Sequence, residues 1–107
     1  MAGTIEISPE SSWTAASWLF DWVLTRIANE LDDLPAGAEV RLIVAENLGF
    51  LSVGALGPSA VRVIADFARS GRLVDSAEAG MFAGVEHASV VAHVRELSEA
   101  LAHSEPA

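Results

Sequence analysis

The stretch SPESSWTAASWLFDWVLTRIANEL, residues 8–31, decides how this chain is read. Ser8 is a capping residue, Pro9 suits the first position of a helix, and Glu10 faces the positive end of the helix dipole. From that start, one helix is expected to run to about Leu31, where Asp32-Asp33-Leu34-Pro35-Ala36-Gly37 ends it. Twenty-odd residues at 1.5 Å each give roughly 34 Å, enough to cross a small domain. At about 100° per residue, Trp13, Phe20, Val23, Leu24, Ile27 and Leu31 gather on one face, the expected core contact. Trp18 and Trp22 project to the other side, one turn apart and in line with Arg26 and Asn29.

That second face is the leading functional signal. Indoles are costly to leave in water, and clusters of aromatic residues with arginine are enriched at interface hot spots. Arg26 is spaced to stack on Trp22. Two readings stand side by side: a helix buried on both sides, or a contact surface for another molecule.

Outward from this helix, residues 4–7 alternate apolar and polar and read as a strand. Residues 39–46 are rich in β-branched side chains and read as a second strand. Asn47-Leu48-Gly49 is a turn signal, and residues 50–56 look like the returning arm of a hairpin. Gly57-Pro58-Ser59 opens a helix over residues 59–70, closed by Gly71 as C-cap. Leu73-Val74 reads as a short strand. Residues 76–86 are ambiguous, because Gly80 and Gly84 weaken a helix while Met81, Phe82 and Val85 need burial. A last helix over residues 88–102 carries the stripe Val90, Val94, Leu97 and Leu101, and residues 104–107 form a tail expected to fray. The order β-α-β-β-α-(β)-α predicts an α+β fold: a small single-layer sheet with helices packed on one face, in one domain over residues 1–107.

Charge narrows the partners. The 107 residues hold 15 acids against six basic residues, all arginine, for a net charge of -9. Such a domain repels nucleic acid and membrane surfaces and attracts basic partners. The chain has no Cys, which excludes a disulfide scaffold and a thiolate metal site. Its first residues lack the features of a secretory signal, and no apolar run approaches the roughly 18 residues of a membrane span. A cytoplasmic location is expected, and the alanine- and arginine-rich composition reads as a GC-rich, bacterial coding bias. Glu30, Asp32, Asp33 and Glu39 cluster where the first helix ends, although acids near a helix C-terminus oppose its dipole. Arg62, Asp66 and Arg69 are spaced as an exposed salt-bridge ladder. His93, Glu96, Glu99 and His103 do not have the spacing of a helical metal motif and read as a solvated face. No cofactor is implied, and no catalytic motif stands out, so the reading leans away from an enzyme.

The expected function is that of a small acidic protein-binding module, an antagonist or accessory factor of a basic partner, in its sharpest form an immunity-type inhibitor of a toxin nuclease. Trp18, Trp22, Arg26 and Asn29 would supply the contact, and Glu30, Asp32, Asp33 and Glu39 the attraction. A homodimer or larger self-assembly through the tryptophan ridge is the alternative. A third reading places a small ligand between hairpin and helices, beside Phe50, Met81 and Phe82.

Overall fold

A computed structural model describes residues 2–80 and 86–104. Strands β1 (Ala2–Ser8) and β2 (Ser11–Ala16) form an antiparallel hairpin. Ser8-Pro9-Glu10, expected to start a helix, lies at its turn. The same chemistry serves there: the Ser8 hydroxyl accepts a hydrogen bond from the Glu10 amide at 3.3 Å, and the fixed φ of proline suits a turn as well as a helix start. The long helix expected from residue 8 is therefore two elements. Only its second part, α1 (Ser17–Glu30), is helical, with 14 residues. Trp13 does join the core, but it does so with Ala15 by strand alternation.

Pro35 is the first residue of α2 (Pro35–Ala45), where a strand was expected over residues 39–46. Ala36 and Val40 are buried and Ile43 and Val44 partly so. That spacing is helical, and it outweighs the β-branched content. The expected hairpin with residues 50–56 is accordingly absent. Instead β3 (Phe50–Ser52) is short and lies parallel to β1, and a single 3-10 turn, Val53–Leu56, follows it. Helix α3 (Pro58–Arg69) matches the sequence reading, and Gly71 closes it with φ +81°. The expected strand at Leu73-Val74 is part of α4 (Arg72–Ala79), which buries Leu73 and Ala77. The last helix, α5 (His87–Ala102), is as expected. Ser104 donates its amide to the Leu101 carbonyl at 3.0 Å. Met81, Phe82 and the rest of the expected tail lie outside the described residues.

The fold is α+β, a three-stranded mixed sheet of order β2-β1-β3 with helices packed on it. Ile5, Trp13, Ala15 and Leu51 point inward and are buried. The opposite face is polar: the hydroxyls of Thr4 and Thr14 meet at 3.2 Å, and Ser52 donates to Glu6 at 3.2 Å. Helix α1 lies on the inner face with Leu19, Phe20, Val23, Leu24 and Ile27 buried. Its approach depends on Gly3, where a Cβ atom would stand 2.2 Å from Cγ of Phe20. Ser98, the one buried polar side chain among the described residues, donates to the Ala68 carbonyl at 3.3 Å and joins α5 to α3.

Helix α5 also seals an edge of the sheet. The Trp13 indole donates to the His93 carbonyl at 2.9 Å, and the two rings stack with centroids 4.7 Å apart. His93 Nε2 returns a 2.7 Å bond to the Thr14 carbonyl on the outer edge of β2. A carbonyl only accepts, so Nε2 carries the proton. His93 is thus part of the architecture, where the sequence suggested a solvated face. The covered carbonyl is one that an unprotected edge strand would offer to another chain.

Two substitutions test this packing. Gly3→Ala should cost about 1–3 kcal/mol through overpacking, lowering Tm by about 5 °C or more. Gly54→Ala, where a Cβ meets nothing within 4 Å, should leave Tm nearly unchanged; equal melting curves for the two variants would contradict the Gly3 argument. In urea, His93→Ala should lose about 1–2 kcal/mol, from one hydrogen bond and one ring contact. An unchanged midpoint would show that the clasp contributes nothing to stability.

Candidate functional site

The helical repeat sets Trp18, Trp22, Arg26 and Asn29 along the outward side of α1. Trp18 is 42% exposed. Trp22 is half-buried, with part of its ring against the core margin. The Arg26 guanidinium lies 5.1 Å from the centroid of the Trp22 ring, the stacking expected from the spacing. Helix α1 is therefore buried on one side only, and the ridge faces solvent.

Below the ridge a groove of about 390 Å³ opens between α1 and α4. Arg26, Asn29 and Glu30 form one wall, Arg72, Asp75, Ser76 and Ala79 the other, and Phe67 of α3 also lines it. Arg72 is held from three sides. It donates to Glu30 at 2.5 Å and to the Ser70 hydroxyl at 3.2 Å, and its guanidinium stands 5.1 Å from the Phe67 ring. The bridge draws α1 and α4 together, and the Glu30 side chain is only 24% exposed.

The acidic cluster is not one patch. Glu30 pairs with Arg72, and Asp32 pairs with Arg41 of α2 at 3.1 Å. Arg41 also donates to Asn29 Oδ1 at 3.3 Å. The charges that oppose the α1 dipole are thus offset by arginines from two neighbouring helices, which the sequence alone left uncompensated. Asp33 is exposed in the turn after α1. Glu39 is exposed on α2, where it lines a separate cavity of about 220 Å³ with Leu34, Leu56 and Ser59. Of the eight residues proposed from sequence, Trp18, Trp22, Arg26, Asn29 and Glu30 are brought together on α1, while Asp32, Asp33 and Glu39 lie beyond its end.

The expected ladder on α3 is reduced to Asp66–Arg69 at 3.3 Å, and Arg69 also donates to the Ala102 carbonyl. Arg62 makes no ion pair among the described residues. No group of three metal-ligating side chains occurs among them, and no helix there is long and apolar enough to cross a membrane.

The far wall of the groove was missed. Arg72, Asp75, Ser76 and Ala79 follow a spacing of three, four and seven, a helical face hidden by the strand reading of Leu73-Val74. No family model, curated protein or solved structure matches this chain.

A double-mutant cycle on Glu30→Gln and Arg72→Gln checks the α1–α4 bridge. The coupling should be about 0.5–1 kcal/mol, at the upper end for a surface pair because Glu30 is partly shielded. Additive losses would mean that the two side chains act independently.

Proposed function

We propose that this protein acts by binding a basic protein partner through the outward face of α1, as an antagonist or accessory factor. The observation that carries the reading is the exposed ridge of Trp18, with the Trp22–Arg26 stack beside it. Aromatic residues and arginine at the centre of a contact supply most of the energy that slows dissociation. The net charge of -9 favours a basic partner and speeds encounter. Since Glu30 and Asp32 are already paired, the attraction comes from the field of the whole domain and from exposed acids such as Asp33 and Glu39. An immunity-type inhibitor of a toxin nuclease is the most specific form of this reading.

Self-assembly is the second reading. It is favoured by three further exposed apolar side chains, Leu42, Leu48 and Phe50. Salt separates the two. Binding to a basic partner should weaken as salt rises, mainly through the association rate. Self-association of subunits that each carry a charge of -9 should strengthen.

The test is a tagged pull-down from the native host, eluted by a salt step, beside the double variant Trp18→Ala, Trp22→Ala checked by circular dichroism. A stoichiometric basic partner, released by salt and lost with the folded variant, is the expected result. Bait alone, at a mass above monomer by light scattering, would favour self-assembly. A monomer without a partner would overturn both readings.

A further inference from the structure

The groove between α1 and α4 holds two opposite charges that do not meet. Arg26 on one wall and Asp75 on the other have no ion-pair partner among the described residues, while the Glu30–Arg72 bridge between these helices is internally neutral. Arg26 is backed by the Trp22 ring, which holds its guanidinium fork in place. Asn29 spends its carbonyl oxygen on Arg41, which leaves its amide hydrogens as donors. Ser76 also lines the groove, and Phe67 and Ala79 add apolar surface.

From this arrangement we infer a site for a small zwitterion, a free α-amino acid with an apolar side chain. The planar fork of Arg26, with the Asn29 amide beside it, suits a carboxylate. Asp75 and the Ser76 hydroxyl supply acceptors for an ammonium group. The apolar side chain lies toward Phe67 and Ala79. The volume of about 390 Å³ falls within the range of small-ligand sites. A net charge of -9 repels a simple anion, and a simple cation leaves the Arg26 guanidinium without a partner, whereas a zwitterion answers both Arg26 and Asp75. The inference goes beyond the protein-partner reading: it shares Arg26 and Asn29 with the ridge but seats its ligand in the groove between α1 and α4, away from Trp18.

Titration of the ¹⁵N-labelled protein with L-phenylalanine, followed by NMR, tests it. Two analogues each lack one charge: 3-phenylpropanoate has no ammonium and phenethylamine no carboxylate. L-Phenylalanine should shift the Asn29 side-chain amide and the Ser76 backbone amide saturably, with a Kd near or below about 1 mM. Each analogue should bind about tenfold more weakly or worse. Arg26→Gln should abolish the preference over phenethylamine, and Asp75→Asn the preference over 3-phenylpropanoate. Both side chains are exposed, and circular dichroism checks that the variants fold; Arg26→Lys, which keeps the charge but loses the fork, provides a second variant and should weaken binding. Absence of saturable shifts at these two residues, or equal binding of the zwitterion and both analogues, would overturn the inference.

Discussion

A helix can lie close across a strand only where the strand has no side chain in its path. Gly3 provides that gap, and Phe20 fills it. The contact fixes how near α1 comes to the sheet, and so which residues of α1 face inward. Leu19, Val23, Leu24 and Ile27 then follow Phe20 into the core, while Trp18, Trp22 and Arg26 are turned out. Strand β1 carries this contact at the centre of the sheet, with β2 paired on one side and β3 on the other. The outward ridge is therefore a geometric consequence of how α1 meets β1.

Arginine organises the surface as the apolar contacts organise the core. Among the described residues, four of the six arginines make ion pairs: Arg41 with Asp32, Arg69 with Asp66, Arg72 with Glu30 and Arg95 with Glu78. Three of these pairs join separate helices or a helix and the turn after α1. Each is modest on its own, because most of these side chains are exposed. Their arrangement matters more than their energy, since it ties Arg72 to Glu30 and leaves Arg26 as the groove's cation without an ion pair among the described residues.

How legible this was in the sequence depended on which physical signal dominated each segment. The α+β class, α3 with its Gly71 end and α5 with its apolar stripe were readable because caps and periodicity agreed there. Ser8-Pro9-Glu10 misled because a proline turn and a helix start use the same residues. Pro35 was read as the end of one helix, though it begins the next. Residues 39–46 carried a strand-like composition over a helical spacing, and packing decided for the spacing. The ridge survived the error at Pro9, because residues 17–30 are helical in either reading and keep their relative angles. The groove was not readable, since its second wall depends on α4, and one sequence gives no direct sign that Arg72 meets Glu30 across 42 positions.

The clasp of Trp13 and His93 bears on how the chain is made. Its partners stand 80 residues apart. During synthesis the N-terminal hairpin leaves the ribosome long before α5 exists, at about 5–20 residues per second. Through that interval the edge of β2 has no cover and the Trp13 indole lacks its native acceptor. Strand β2 and helix α5 thus complete each other, and the sheet edge stays open until α5 is made.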